Sequence, residues 1–472
     1  MIQAIEWPDH RIGELRSPFD VGGNEPKLRI TIHVEAFNNL SAEDESSYFA
    51  VRELGELDCI EIFATQVDSF PYLEINPSPS DDGYRNVKIF QNGEIISYHH
   101  GVNPTRINQL RIHRLIGFNA DKELYKTAEN DILAVEAHHA LGRDIFVTTS
   151  QLLLAHRMRI SYANIRTPIE AARIVGLFLR SQNNWIYSRI GRATYNTDKG
   201  MFYWVLARSK LPAMWRYFSG CVYARKNFGE EILYIGQSVL ERCTRALQAR
   251  DAIGIQFYRT QNNNTQDEIM YHFDYLTLLI SGAFDAQANI ANYVYSLLEN
   301  NFNVGFRKKK FLKGLCESKA DNLYELVTSD RCEHLMTMLH TLRNTIHSAG
   351  LKTYTFAKAA ETTKSYVEIP EDIRDFLWQS SLTMGTAEEW GLIRDEYSIV
   401  DPKSKALVPK VKISLEPYTY VTKLIDTWFQ LFNNVAQMTE IEGLFPVEEV
   451  PQLADRPPDD WESMIVRFSL LA

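Results

Sequence analysis

The chain has 472 residues, and its acidic side chains outnumber the basic ones to give a formal net charge of −10. An apolar fraction of 45% and an aromatic fraction of 12% exclude a largely disordered protein and predict two or three domains with buried cores. The acidic balance argues against binding of nucleic acid over a large surface, because such binding depends on many Lys and Arg side chains, but it allows a local basic cleft.

The first strands and helices alternate along the chain. Residues 27–37 alternate apolar and polar side chains, which predicts a strand, and Ser41 with the acids after it predicts a helix start. Residues 57–67 predict a second strand. Residues 87–98 predict a β-hairpin, because the Asn-Gly pair at 92–93 supplies the two positive φ angles that its tight turn requires.

A helix and a short strand come next. Residues 131–137 have helical periodicity, and residues 144–148 predict a buried strand. Ser150 then predicts the cap of a further helix. A compact strand after a helix is typical of a parallel sheet. We therefore expect an α/β domain with a mostly parallel sheet and a hairpin insertion over residues 1–160.

The remaining chain is predicted to be mainly helical. Thr167, Pro168 and Glu170 form a strong helix start, with the Thr as N-cap and the Pro at the first helical position. Residues 390–415 predict a short excursion of strand. The apolar stripes of helical spacing are 169–181, 212–226, 234–249, 268–299, 321–328, 332–347, 370–382 and 417–437.

These patterns predict the domain organisation beyond residue 160. Residues 161–260 are expected to form a helical connecting region, and residues 261–445 a larger, all-helical domain. Residues 446–472 are rich in Pro and acids, which predicts an extended tail.

Targeting signals and cysteines indicate the compartment. Residues 1–9 lack the basic stretch and apolar segment of a signal peptide. The best candidate for a membrane span, residues 275–298, is interrupted by four polar residues, among them Asp285. Five cysteines without C-x-x-C spacing predict reduced thiols and no structural metal site. The sequence predicts a cytoplasmic protein with no membrane partner.

Arg343, Asn344 and His347 form the clearest catalytic pattern. Arg343 and His347 are four residues apart, so they share a helix face. Arg supplies a fixed planar charge suited to phosphate, and His transfers protons near neutral pH. Together they predict metal-free cleavage of a phosphodiester by a neighbouring ribose 2′-hydroxyl. The alternative is structural: Arg343 pairs with an acid, His347 caps the helix and Asn344 bonds to the backbone.

Residues 267–440 resemble the HEPN superfamily, all-helical domains that include metal-independent RNases of toxins and antiviral systems. The family pattern is an Arg, usually followed by Asn or another polar residue, and a His after four to six residues. Arg343 and Asn344 match, whereas His347 follows after three residues and Ser348 occupies the position of a four-spaced His.

The HEPN resemblance implies a mechanism without metal or cofactor. His347 is expected to act as general base or acid, Arg343 to stabilise the charged phosphorane, and Asn344 to orient one of them. HEPN ribonucleases usually form their active site across a dimer, so a homodimer is implied. Many HEPN domains lack activity and serve in interaction or RNA binding.

Residues 131–150 resemble the last helix–strand unit of PIN-like nucleases, in which an acid opens the helix and Thr-x-Asp follows the strand. Asp131 matches the acid and Thr148 the Thr, but Ser150 stands where the closing Asp belongs. Glu35, at the end of the first predicted strand, is the candidate for the first-strand acid, and Glu in place of Asp is a departure from the family. Such nucleases hold Mg²⁺ with three or four carboxylates, which implies Glu35 and Asp131 as metal ligands if this site is active. The alternatives are a degenerate PIN-like fold that does not cleave, and an Asp131 that merely favours a helix N-terminus.

One concentrated basic run precedes the Arg343 cluster. It consists of Arg307, Lys308, Lys309 and Lys310. The run predicts contacts with RNA phosphates, with Phe306 and Phe311 stacking on bases. The alternative is a solvated loop or helix start whose two Phe side chains face the core.

The sequence therefore predicts a protein that binds or cleaves RNA in a bacterial defence or toxin–antitoxin setting, with RNA and a protein as its expected partners. The alternative is a non-enzymatic interaction protein built from degenerate relatives of nucleases. The net charge of −10, the shortened spacing between Arg343 and His347 and the missing Asp at Ser150 favour that alternative. Catalysis requires Arg343 and His347 on a shared electropositive cleft.

Overall fold

The structure, a computed structural model, divides into two compact units. One unit ends at Gln182 and the other begins at Asn183. The residues that the structure describes are 17–20, 26–37, 40–65, 72–75, 85–102, 105–157, 160, 163–190, 193–297, 301–348, 351–356, 364–400 and 407–453. Most of the expected tail therefore lies outside the described residues.

The N-terminal unit is built on a seven-stranded sheet with the order β5-β4-β3-β2-β1-β6-β7. The strands are β1 (Leu28–Ile32), β2 (Ile60–Ala64), β3 (Tyr72–Ile75), β4 (Arg85–Gln91), β5 (Glu94–Val102), β6 (Ile145–Val147) and β7 (Ile165–Arg166). The helices are α1 (Ala42–Leu54), α2 (Thr105–Ile116), α3 (Lys122–Ala140), α4 (Gln151–His156) and α5 (Pro168–Ser181). Strands β3, β2, β1, β6 and β7 run parallel, and β4 and β5 add an antiparallel hairpin at one edge.

The centre of this sheet is β1, with β2 on one side and β6 on the other. Ile30, Ile32 and Val147 of the two central strands are almost fully buried. Thr31, on the opposite face of β1, is buried as well, and strands buried on both faces are typical of a parallel sheet covered by helices. The connections reverse direction at β1, and ligands of doubly wound sheets bind beside the carboxyl ends of the strands at such a point. The expected α/β architecture is confirmed.

Local sequence signals position several of these elements as expected. The Ser41 hydroxyl accepts a hydrogen bond from the Asp44 amide and begins α1. Thr167 and Glu170 form the reciprocal capping box of α5. The hairpin turn between β4 and β5 has positive φ angles at residues 92–93.

Helix α3 differs from the prediction in where it begins. It starts at Lys122, with Asp121 as the N-cap that accepts from the Leu124 amide. Asp131 therefore lies in the interior of the helix. The expectation of a helix-opening acid at Asp131 is wrong, and so is the explanation of this residue by the helix dipole. The mostly polar composition of residues 122–130 concealed the first turns.

The C-terminal unit is mainly helical. Its helices are α6 (Lys199–Lys210), α7 (Met214–Phe228), α8 (Glu230–Tyr258), α9 (Asn263–Tyr295), α10 (Lys309–Glu317), α11 (Asp321–Thr328), α12 (Asp330–Ser348), α13 (Glu371–Leu382) and α14 (Pro417–Met438). Its strands are β8 (Ile186–Ile190), β9 (Ala193–Asn196), β10 (Lys352–Phe356), β11 (Lys364–Glu368), β12 (Leu392–Val400) and β13 (Leu407–Leu415). Strands β8 and β9 pair with each other, and the other four form a sheet with the order β10-β11-β13-β12.

The expectation of an all-helical C-terminal domain is wrong, because an antiparallel sheet lies between α12 and α14 in the chain. The predicted strand excursion at 390–415 is confirmed as β12 and β13. The helical core forms around α9 and α14, where the ring of Phe284 lies 5.2 Å from Trp428 and 6.4 Å from Phe432, centroid to centroid.

Two further observations concern the compartment predictions. All five cysteines are free thiols. Within the described residues, every helix is too short or too polar to span a lipid bilayer.

Candidate functional site

Helix α12 presents the Arg343 cluster near its C-terminal end. His340, Arg343 and Asn344 are three and four residues apart and so lie on one face of the helix. Arg343 is half-buried, and the other two side chains are exposed. The amide Nδ2 of Asn344 lies 3.1 Å from Nδ1 of His340. This hydrogen bond holds the imidazole by Nδ1, and Nε2 is the nitrogen that remains for a substrate.

His347 lies in the same helix, but its side chain is outside the described residues. Its expected partnership with Arg343 stays a prediction. His340 is the residue that sequence reasoning missed. Its spacing from Arg343 and Asn344 was the available signal, because it places all three on one helical face.

The imidazole of His340 lies in a positive environment. Partial burial of the ring lowers its pKa from 6.5, and the charges of Arg307 and Arg343 lower it further. The ring is therefore neutral at pH 7, and only a neutral imidazole accepts a proton.

Asp285 of α9 lies within the same electrostatic neighbourhood. The residue is exposed, but nearby atoms partly desolvate its carboxyl group and raise its pKa, and the positive charges of Arg343, Arg242 and Lys308 oppose that change. These cations come from α8, from the segment before α10 and from α12. The carboxyl group of Asp285 is therefore surrounded by basic side chains, and Arg343 is one of them.

The basic run before and at the start of α10 keeps its cations exposed. The exposed side chains are Arg307, Lys308, Lys309 and Lys310. Phe306 and Phe311 are buried, with centroids 5.7 Å apart, and Phe306 lies 4.8 Å from Phe284. The expected stacking of these two rings on bases is wrong, because they are part of the core. The alternative, in which both rings face the core, is confirmed.

A second cluster lies at the carboxyl ends of β1 and β6, the position where the connections of the sheet reverse. His33 follows β1 and is buried, and its Nδ1 lies 3.0 Å from Thr148 Oγ1. Its Nε2 lies 3.8 Å from Glu35 Oε2 and 3.7 Å from Asp131 Oδ1. The structure thus brings together Glu35 and Asp131, which the sequence assigned to one site. His33 was missed, although its position two residues before Glu35 was visible in the sequence.

Burial dominates the electrostatics of this second cluster. It lowers the pKa of His33, and the charges of Asp131 and Glu35 oppose the shift. It also raises the pKa of Asp131, whereas a hydrogen bond from the Ser150 hydroxyl and the proximity of His33 lower it.

The donor set of this cluster does not fit the metal site that a PIN-like nuclease requires. In the described part of the chain, no three His, Cys, Asp or Glu side chains are arranged to hold a metal ion. Glu35 and Asp131 supply two carboxylates, where such nucleases use three or four. Ser150, in place of the closing Asp, donates to Asp131 and caps α4.

No protein-family model, curated protein or solved structure matches the chain. The HEPN and PIN-like resemblances depend on the residues described above and stay predictions.

Proposed function

We propose that the C-terminal unit binds RNA through a cationic face and cleaves it without a metal ion. The cationic face consists of Arg242, Arg307, Lys308 and Arg343. The observation that carries the proposal is the convergence of these four cations on Asp285 and His340 in a protein of net charge −10. A local concentration of positive charge attracts phosphate even when the whole protein is acidic.

The proposed reaction uses the ribose 2′-hydroxyl as the nucleophile. Nε2 of His340 takes the proton of that hydroxyl while its oxygen attacks the adjacent phosphorus atom. Arg343 stabilises the negative charge that develops on the phosphorane. The bond to the 5′-oxygen breaks, and His347 is the candidate donor of the proton that this oxygen gains. The products carry a 2′,3′-cyclic phosphate and a 5′-hydroxyl.

The biological setting follows from the HEPN resemblance. It supports a role in bacterial defence or in a toxin–antitoxin pair, in the cytoplasm, with the active site formed across a homodimer. The match of Arg343 and Asn344 to the family pattern supports this assignment, and the additional sheet of the C-terminal unit is a departure from it.

The alternative is a non-enzymatic interaction protein. Two observations favour it: Arg343 is half-buried, and the charge of Asp285 offsets part of the positive potential around it. Under this alternative the cationic face binds RNA or an acidic protein without cleaving it.

Cleavage of a labelled single-stranded RNA in the presence of EDTA tests the proposal. We expect the wild-type protein to generate 2′,3′-cyclic phosphate ends. His340→Ala should lower the rate by about 100-fold or more, because acid–base groups contribute about 10²–10⁴-fold. Arg343→Ala should lower it by about 10²–10³-fold, because a group that stabilises transition-state charge is lost. His347→Ala tests the proton donor in the same assay.

Two substitutions on the same helix serve as matched controls. Arg331 of α12 donates to Gln430 at 2.9 Å, and His334 of α12 lies 3.3 Å from Ser380 Oγ. Arg331→Ala and His334→Ala should retain wild-type cleavage. Absence of cleavage by the wild-type protein, with and without Mg²⁺, would exclude the enzyme and leave the interaction protein.

A further inference from the structure

We propose that the pocket between α8 and α9 binds one guanine base of the RNA. The inference rests on the proposed function and names a base-recognition subsite beside the cationic face. The two helices pack side by side, and the pocket between them has a volume of about 580 Å³. This volume lies in the range of about 300–1,000 Å³ that is typical of ligand sites.

Arg242 is held in a fixed position in this pocket. Its Nε donates to Ser238 Oγ, one helical turn earlier on α8, at 2.9 Å. Across the interface, a Cβ atom at Gly282 of α9 would lie only 1.6 Å from Nη1 of Arg242. Glycine at this position therefore admits the guanidinium against α9, and Arg242 forms a preorganised cation at the pocket.

Asp285 supplies the acceptor groups. It lies three residues after Gly282 on α9, lines the same pocket and is exposed. Among the described residues, no Lys, Arg or His forms an ion pair with Asp285 within 4.0 Å. A carboxylate repels phosphate, so its presence beside the cationic face indicates a ligand group that donates hydrogen bonds.

Guanine is the base whose donors match a carboxylate. Its Watson–Crick edge presents the neighbouring N1–H and N2–H donors, which two carboxylate oxygens accept together. Adenine and cytosine present one amino donor beside an acceptor nitrogen, and uracil presents one N–H between two carbonyl oxygens. Each of these bases would place an acceptor against the carboxylate.

Tyr234 provides a surface for the base. Its side chain lines the pocket from α8 and is 63% exposed. An exposed aromatic ring stacks on a nucleobase. Arg242, with Lys308 and Arg343 nearby, then neutralises the phosphates next to the bound guanosine.

Binding of four fluorescein-labelled octamers by fluorescence anisotropy tests the inference. The octamers are 2′-O-methyl oligonucleotides, which lack the 2′-hydroxyl nucleophile and so are not cleaved. One is all uracil, and each of the others carries a single central guanine, adenine or cytosine. We expect the guanine octamer to bind about ten-fold more tightly than the other three, because a single bidentate contact to a base discriminates by about this factor.

Three variants assign the contacts. Asp285→Asn should remove the guanine preference and leave the affinity for the uracil octamer unchanged or higher. Gly282→Ala should displace Arg242 and weaken binding of all four octamers. Tyr234→Ala should also weaken all four, whereas Tyr223→Ala, an exposed tyrosine of α7 that does not line the pocket, should have no effect.

Equal affinity of the wild-type protein for the four octamers would overturn the base assignment and leave the proposed RNA binding intact. Persistence of the guanine preference in Asp285→Asn, and in Asp285→Ser as a second variant, would also overturn the base assignment. No binding of any octamer would reject the proposed function as well.

Discussion

His138 of α3 is a titratable side chain that the fold keeps neutral. Only 1% of its surface is exposed, and its Nδ1 lies 3.0 Å from Thr31 Oγ1 in β1. Burial lowers its pKa to about 3, with contributions from the charges of His139 and Arg143. The residue therefore acts as a core side chain with one hydrogen bond.

The lowered pKa of His138 predicts that the N-terminal unit loses stability in acid. Between pH 6.5 and about 3 the unfolded chain binds a proton at His138 and the folded chain does not. The contribution is complete above pH 6.5 and is lost as the pH falls, by at most about 1.4 kcal/mol per pH unit. Urea unfolding at several pH values should show this decline.

His138→Gln is the variant that isolates this effect, because Gln can still bond to Thr31 but does not titrate. Its stability should fall less steeply than that of the wild-type protein between pH 6 and 4. His139→Gln replaces the exposed neighbour and is the control. Parallel stability curves for His138→Gln and the wild-type protein would contradict the explanation.

The candidate sites show which residues a sequence can reveal. Arg343 and His347 were visible because they are four residues apart on one predicted helix and so share a face, and Asn344 was visible because it follows Arg343 as in the HEPN pattern. His340 shared that face and could have been included. Asp285 and Arg242 reach Arg343 only through the packing of α8 and α9 against the rest of the unit, and no spacing in the chain encodes that convergence.

At the scale of elements, the capping box of α5 predicts a measurable stability. The Thr167 hydroxyl accepts from the Glu170 amide at 3.3 Å, and the Glu170 carboxylate accepts from the Thr167 amide at 3.0 Å. Thr167→Ala should lower the free energy of unfolding by about 1 kcal/mol in urea denaturation, because it leaves an amide of the first turn without its partner.

Ser46→Ala is the matched control for the capping prediction. Ser46 is exposed in the interior of α1, where Ala has the higher helix propensity, so the stability should be unchanged or slightly increased. Equal losses in Thr167→Ala and Ser46→Ala would show that the capping box contributes nothing specific.

Helix α5 also shows that a capping box does not predict which core a helix packs into. The capping box identified the start of α5, but the helix packs against α1, and the ring of Phe178 lies 5.6 Å from that of Phe19. The N-terminal unit accordingly ends after α5, at Gln182. A cap specifies where a helix begins and carries no information on which core the helix joins.

Strands were harder to identify than helices for a related reason. The strands β10 and β11 have five residues each, too short for alternation to stand out from loop composition. β10 and β11 pair with each other, and β11 also pairs with β13, which follows after helix α13 and strand β12. The pairing of β11 with β13 therefore has no hairpin turn to mark it, whereas Asn92 and Gly93 marked the pairing of β4 with β5.

At the scale of the whole molecule, the distribution of charge matters more than its sum. A net charge of −10 argues against extensive RNA binding, yet the four cations of the proposed cationic face lie close enough to Asp285 or His340 to influence the pKa of one or the other. The two observations are compatible if binding is confined to a few phosphates, since nearby charges dominate and distant ones are screened by salt.

A confined contact predicts a shallow dependence of affinity on salt. Each phosphate neutralised on a single strand contributes about −0.7 to the slope of log K against log salt concentration, so four cations predict a slope of about −3. Anisotropy titrations of the guanine octamer between about 50 and 200 mM NaCl measure it. Lys308→Ala should reduce the slope by about 0.7, because one phosphate contact is lost.

Lys313→Ala separates this local contact from a general effect of charge. Lys313 of α10 is exposed and pairs with Glu317 at 3.6 Å, so its removal changes the net charge as Lys308→Ala does without touching the cationic face. We expect its salt slope to equal that of the wild-type protein. Equal reductions in both variants would mean that RNA responds to the summed charge, and the cationic face would then not be the binding site. A wild-type slope near zero would lead to the same conclusion, because phosphate contacts release counterions whichever base is bound.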